Sequence, residues 1–326
     1  MPYAIKVHKT GAPDVLSYEE HDPGAPGEGQ VRVRVAACGV NFIDVYFRTG
    51  LYPRPLPFPS GLEGSGTVES LGEGVQGLAE GDRVAWASVP GSYADIVLAP
   101  AANVVKVPDK VTDEVAGAAM LQGMTAHYLV YGCRETRARE TALVHAAAGG
   151  VGLLLIQLLT AAGADVIGTC SSDEKAELAR GAGADHVIRY DEVDFEDEVE
   201  SITKGRGVDV VYDSVGQTTF EGSLACLRPR GLLCLFGQSS GPVPPFDLAR
   251  LNSLGSLFIT RPSLMHYTRD RQELELRAGF VLNAIERGEL DVRIGARYSL
   301  DEASAAHRAL EGRKTTGKVL LTPDGD

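Results

Sequence analysis

The chain has 326 residues, 44% of them hydrophobic, enough for one large or two medium domains with a substantial core, so a disordered chain and a minimal scaffold are both excluded. With 31 Lys and Arg against 44 Asp and Glu, the formal net charge is −13, which opposes non-specific binding to nucleic acid or anionic lipid. Cys38, Cys133, Cys170, Cys226 and Cys234 stand far apart without a C-x-x-C pair, so neither a disulfide framework nor a zinc ribbon is indicated and reduced thiols are expected. The N-terminal region carries Lys6, Asp14, Glu19 and Glu20, and the longest apolar helix, expected over 151–162, is too short to span a bilayer. The expectation is a soluble cytoplasmic protein.

Short β-branched runs over 31–35, 66–70, 83–86 and 93–98, separated by Gly- and Pro-rich turns at 23–29, 53–59 and 72–77, predict a compact β unit with few helices before residue 112. From 141 the texture changes. Strand 141–147, helix 151–162, strand 165–169, helix 173–181 and strand 184–190 make one βαβαβ half. Strand 208–215, a helix near 220–227, strand 231–236, an undecided segment at 248–254 and strand 256–260 make a second. Six strands alternating with helices predict an α/β fold with a doubly wound parallel sheet. A long helix over 270–287, a helix over 303–310 and a strand over 318–321 have no obvious place in that sheet and are assigned to the first domain.

The first strand of the α/β region runs into Ala147-Ala-Gly149-Gly150-Val151-Gly152 and an apolar helix, the context a dinucleotide fingerprint requires. Gly149 removes a Cβ where a pyrophosphate approaches, Gly152 lets the helix pack closely, and the helix N-terminus offers amides to phosphates. A tight turn with no ligand is the alternative. About 20 residues on, where an acid binds the ribose 2′-hydroxyl in NAD enzymes, the sequence reads Gly168-Thr-Cys-Ser171-Ser. Lys175 stands in the first turn of the next helix, where a cation is unfavourable without a nearby anion such as the 2′-phosphate of NADPH. The alternative is a solvated lysine or a surface ion pair.

In order and spacing, Ala37-Cys-Gly-Val-Asn41-Phe-Ile-Asp44, Gly50-Leu-Tyr52-Pro53, Gly61-Leu-Glu-Gly64, Gly81-Asp-Arg-Val84, Gly123-Met-Thr125-Ala126 and His145-Ala-Ala-Ala-Gly-Gly-Val-Gly152 resemble the quinone oxidoreductase (zeta-crystallin-like) branch of the medium-chain dehydrogenase/reductase superfamily. The resemblance spans residues 3–321. It implies a GroES-like β-rich catalytic domain over 1–122 and 262–326, a Rossmann NADP-binding domain over 123–261, and an active site in a cleft. Zinc-dependent members hold the metal with Cys, His and Cys, but the matching positions here are Asn41, Leu62 and Gln122, and the cysteine-rich structural zinc lobe is missing. No metal is expected.

Without a Lewis acid, the resemblance implies transfer from NADPH to an acceptor activated by conjugation: a quinone, or an enone, alkenal or enoyl thioester. Asn41, Tyr46 and Thr125 match positions lining the nicotinamide side, with Asn41 as an oxygen-orienting group or simply a turn-forming Asn, and Tyr46 as a site or packing residue. Tyr52 matches the proton-donating tyrosine of enoyl thioester reductases or only shapes the pocket. Ser171, Lys175, Tyr190 and Arg313, with Lys314 as a substitute for Arg313, match the surroundings of the 2′-phosphate. Phe236, Gly237, Gln238, Phe258 and Thr260 are placed at carboxyl ends of strands against the cofactor. Arg48 and Arg54 are candidates for a basic entrance for coenzyme A.

The seven histidines are scattered and read as surface or core residues; Cys38 and Cys133 read as buried small apolar groups. A third reading, a non-catalytic crystallin-like or RNA-binding protein that retains NADPH, is opposed for RNA by the negative charge. The family expectation is a homodimer, with strand 256–260 as a sheet edge open to a two-fold partner.

Overall fold

The computed structural model describes residues 1–323; residues 324–326, at the end of the expected tail, lie outside the described residues. The chain divides into two units, Met1–Met124 with the segment from Thr268 onward, and Thr125–Tyr267. The seams fall beyond the expected 122 and 261. Tyr267 stays with the second unit because its ring stacks on Tyr128 with centroids 4.4 Å apart.

The first unit opens with β1 (Tyr3–Val7), β2 (Leu16–Glu20), β3 (Gln30–Val40), α1 (Phe42–Thr49), β4 (Phe58–Pro59), β5 (Glu63–Leu71), β6 (Arg83–Trp86), β7 (Ile96–Pro100), β8 (Val105–Lys106) and α2 (Asp113–Tyr131), the last running across the seam. In β3, Val31, Val33 and Val35 are buried while Arg32 and Arg34 point away, the period-2 pattern of a strand with one core face. This long strand pairs with β5 on one side and β7 on the other. Its core packs Trp86, Tyr93 and Phe58 against aliphatic residues of the strands.

Neither α1 nor α2 was expected from the residues. Aromatic and β-branched residues make Phe42–Thr49 look extended, but Asn41 and Asp44 form a reciprocal capping box that starts a helix. In α2, Ala116, Ala118, Ala119 and Met120 are all buried, so it lacks the apolar stripe that betrays a surface helix.

The second unit contains β9 (Thr141–Val144), α3 (Gly150–Ala161), β10 (Asp165–Cys170), α4 (Asp173–Gly181), β11 (His186–Arg189), α5 (Phe195–Thr203), β12 (Val208–Asp213), α6 (Phe220–Ala225), β13 (Leu227–Leu235), α7 (Ala249–Ser253), β14 (Phe258–Thr260) and α8 (Leu264–Tyr267). The six strands are parallel in the order β11-β10-β9-β12-β13-β14. The order reverses beside β9, the switch point at which a doubly wound sheet binds its ligand.

The chain then returns to the first unit with α9 (Arg271–Glu286), β15 (Ile294–Ser299), α10 (Ala303–Glu311) and β16 (Lys318–Thr322). β16 pairs antiparallel with the end of β3, Val319 opposite Val40, and brings Lys318 to the start of α1. Among the described residues no helix is long and apolar enough to cross a membrane.

Candidate active site

In the second unit, β9 leads into a turn where Ala146 adopts a left-handed φ of 52°, a region few non-glycine residues enter. Gly149 is the N-cap of α3, and the Leu153 amide donates back to its carbonyl at 2.9 Å. The amides of Gly150, Val151 and Gly152 therefore have no partner within the helix. A Cβ on Gly152 would lie 2.4 Å from the Ala146 carbonyl oxygen and 2.7 Å from that of Ala147, so only glycine fits. At Gly149 the nearest atom to such a carbon is the Ala146 oxygen at 3.1 Å, which leaves the outer side open to a phosphate. These residues fit a dinucleotide pyrophosphate.

At the end of β10, Ser172 caps α4 by accepting the Lys175 amide at 3.3 Å, and the Lys175 ammonium donates to the Ser171 hydroxyl at 3.3 Å. The Tyr190 amide donates to the Cys170 carbonyl, which places the half-exposed Tyr190 at the same end of the β10–β11 pair. Ser171, Lys175 and Tyr190 thus share one edge. Arg189 was missed by sequence reasoning, but Asp173, Asp191 and Glu192 already engage its guanidinium.

Phe236 and Gly237 follow β13 and donate their amides to the Asp213 carbonyl, while Gln238 continues the same loop. Thr260 ends β14, as expected. Phe258 opens the same three-residue strand and is 61% exposed on the sheet edge. Thr125 is buried in α2.

Beneath the glycine turn lies a network the sequence did not reveal. The Ser223 hydroxyl donates to Asp213 at 2.8 Å, so His145 Nε2 donates to Ser223 at 3.1 Å and Nδ1 accepts from Thr169 at 3.0 Å. Burial holds the His145 imidazole below its usual pKa, and the ring is a neutral core connector.

In the first unit, Asn41 is buried and caps α1. Its Nδ2 donates to the Gly39 carbonyl at 3.2 Å and to Glu63 at 2.7 Å, and its Oδ1 accepts from the Lys318 ammonium at 2.8 Å. Both amide protons are committed inside the protein. In this arrangement Asn41 acts as the turn-forming residue that the sequence offered beside its role at a substrate oxygen. Lys318 and Glu63 form a fully buried ion pair, and the other Glu63 oxygen accepts the Leu121 amide at 2.6 Å.

Tyr46 packs edge-on to Tyr52 with centroids 5.2 Å apart, and Phe47 meets Tyr52 at 5.9 Å. The Tyr52 amide donates to the Tyr46 carbonyl at 3.0 Å, so the loop after α1 folds back onto the helix. Arg48 is wholly buried and paired with Glu311 at 2.7 Å, and Arg54 lies over the rings of Phe47 and Phe58, so Arg48 is no entrance residue and Arg54 is engaged in cation–π contact. Asp44 accepts from the Tyr93 hydroxyl and the Asn41 amide, but burial pushes its carboxyl up to about 7. Arg313 follows α10 with a left-handed φ of 56° and, with Lys314, belongs to this unit.

Two family models match: the alcohol dehydrogenase GroES-like domain over residues 27–109, and the zinc-binding dehydrogenase over 150–275. The chain is 46% identical to a quinone oxidoreductase of Pseudomonas aeruginosa, covering 99% of this chain and 100% of that protein. It is 43% identical to a 2-haloacrylate reductase of a Burkholderia species, covering 99% of each. A solved structure of Escherichia coli quinone oxidoreductase complexed with NADPH superposes with a TM-score of 0.96 at 42% identity, over 98% of this chain and all of that one. The chain belongs to the quinone oxidoreductase branch of the medium-chain dehydrogenase/reductase superfamily.

One matching model is named for zinc, and the resemblance places the ligands of that metal at positions 41, 62 and 122. The three ligand positions hold the engaged amide of Asn41, the hydrocarbon of Leu62 and the amide of Gln122, none a thiolate or imidazole. Among the described residues no group of three or more His, Cys, Asp or Glu is arranged for a metal ion. Beside Asn41 the fixed positive charge is the Lys318 ammonium.

Proposed function

We propose that this protein is an NADPH-dependent quinone reductase that works without a metal. The observation that carries the reading is the edge formed by Ser171, Lys175 and Tyr190, which offers a cation and hydroxyls where an NAD enzyme offers an acid. NADPH, when bound, supplies the hydride. Gly149, Gly150, Val151 and Gly152 receive its pyrophosphate on backbone amides, and Lys175 pairs with the 2′-phosphate. Phe236, Gly237, Gln238 and Thr260 contribute mainly backbone from the strand ends. Thr125 lines the nicotinamide side; in the first unit, Asn41 holds the first turn of α1 that carries Tyr46.

A quinone oxygen takes its proton from solvent, so the acceptor needs little from the side chains beyond placement and exclusion of water. The 2-haloacrylate reductase among the relatives favours a second reading, an activated alkene, in which the Tyr52 phenol delivers the proton. Cytoplasmic location and a homodimer complete the proposal, the dimer forming by extension of the sheet at the edge strand β14; a monomeric mass by light scattering would remove it. The test is NADPH oxidation at 340 nm with 1,4-benzoquinone, 9,10-phenanthrenequinone and a simple enone in parallel. Rapid turnover of the quinones is expected; turnover of the enone alone would replace the first reading with the second.

A further inference from the structure

Lys175 does not stand in a basic region. Asp173 and Glu174 lie between Ser171 and Lys175 in the chain, and Asp191 and Glu192 follow Tyr190 directly; against these four acids the two segments 171–175 and 189–192 hold two cations, Lys175 and Arg189. Residues one or two positions apart lie within about 7 Å of each other, inside the roughly 10 Å over which charges act at 0.1 M salt. A 2′-phosphate bound on this edge therefore meets more negative charge than positive unless the carboxylates are restrained.

Arg189 restrains three of them. It ends β11 opposite Cys170 of β10, level with the strand end that leads into Ser171. Its Nε and Nη2 donate to the two carboxylate oxygens of Asp191 at 2.9 and 2.8 Å, a bidentate fork. Nη2 also pairs with Glu192 at 3.0 Å, and Nη1 donates to Asp173 at the start of α4. The Arg189 side chain is 17% exposed and that of Asp173 95%. An ion pair with so exposed a partner adds about 0–1 kcal/mol to stability, so the gathering of three carboxylates on one guanidinium matters more for the charge it controls than for the fold.

Given the phosphate reading of the Ser171–Lys175–Tyr190 edge, on which this inference rests, we propose that Arg189 is a positioning residue for the choice of NADPH over NADH: it holds Asp173, Asp191 and Glu192 to itself so that the edge accepts a 2′-phosphate. Arg189 acts through the carboxylates. Once released, they repel the phosphate and outnumber Lys175, whereas NADH carries a neutral hydroxyl at that place and meets no such repulsion.

The experiment titrates the full chain with NADPH and with NADH by nucleotide fluorescence, at low and high salt, beside thermal melting. Arg189→Gln should weaken NADPH binding by about three- to tenfold, the effect of two or three like charges at about 7 Å in water, and leave NADH binding unchanged. High salt should recover part of that loss, whereas it weakens NADPH binding to the unaltered protein. Adding Asp191→Asn and Glu192→Gln to Arg189→Gln should restore NADPH affinity, a rescue that a merely structural arginine does not allow, and Arg189→Lys should keep most of the preference. If Arg189→Gln fails to fold, Asp191→Asn with Glu192→Gln beside an intact Arg189 decides, with NADPH binding expected to tighten by about twofold and NADH binding to stay the same. Equal weakening of both nucleotides by Arg189→Gln, no recovery on removal of the carboxylates, or no tightening in the double variant would overturn the proposal, while loss of the preference in Lys175→Ala would keep the phosphate edge standing. A Lys175→Ala variant that retains the NADPH preference would overturn the phosphate edge and the role of Arg189 together.

Discussion

The cofactor end of the second unit and the polar cluster of the first are built on opposite plans. The first is local: residues between Ala146 and Tyr190 supply the turn, the helix amides, and the Ser171–Lys175 pair four positions apart. The second is global, with Lys318 reaching Asn41 across 277 positions and Glu63 across 255. A local site tolerates loss of one side chain because solvent replaces it, whereas a buried charge network has no solvent to fall back on. Substitutions in the two regions should therefore differ in kind, one changing ligand preference and the other folding.

The largest effect is expected at Lys318. Lys318→Met leaves the buried Glu63 carboxyl without its partner, and should destabilise the fold by about 3–5 kcal/mol in denaturant titrations. Adding Glu63→Gln should restore part of that loss, because no unpaired charge remains. A double variant as unstable as the sum of both single changes would mean that the cluster is not acting as a pair.

Gly152→Ala comes next. Its new carbon collides with the Ala146 and Ala147 carbonyls, so the turn must open, with about 1–3 kcal/mol lost from stability and weaker NADPH binding measured by nucleotide fluorescence. Lys175→Ala is the contrasting change on the same edge. NADPH affinity should fall by roughly tenfold, the value of one partly solvated charge-assisted bond, with NADH affinity and thermal stability unchanged. A fall of similar size for both nucleotides would sever Lys175 from the 2′-phosphate.

The smallest net effect concerns pH, because two buried groups of the first unit oppose each other. Burial raises Asp44 from 3.8 to about 7, so its contribution to stability is complete below about pH 4 and lost as pH rises through about 7. Burial and the nearby Arg48 lower His307 from 6.5 to about 3, so its contribution is present above about pH 6.5 and lost as pH falls toward 3. Asp44→Asn should leave stability rising with pH between about 3 and 6.5, and His307→Gln should leave it falling between about 4 and 7. Unaltered slopes in both variants would show that neither group titrates with folding.

The same local–global contrast decides what was legible in the sequence. The parallel sheet, helix Asp173–Gly181 and the glycine turn follow from periodicity and from a motif whose parts are adjacent in the chain. The Asn41–Glu63–Lys318 cluster was not legible, since nothing near Lys318 announces that β16 pairs beside β3. At Asn41 the type and position suited a substrate contact, while its distant partners Glu63 and Lys318 were invisible in the sequence. Helix α1 escaped notice because its capping box overrides the extended preference of its aromatic residues.

The most direct test is the ratio of kcat/KM for NADPH to that for NADH with 1,4-benzoquinone, measured on protein freed of metal by a chelator. The account predicts a clear NADPH preference at an undiminished rate. A preference for NADH, or activity that vanishes with the chelator and returns with zinc, would contradict it.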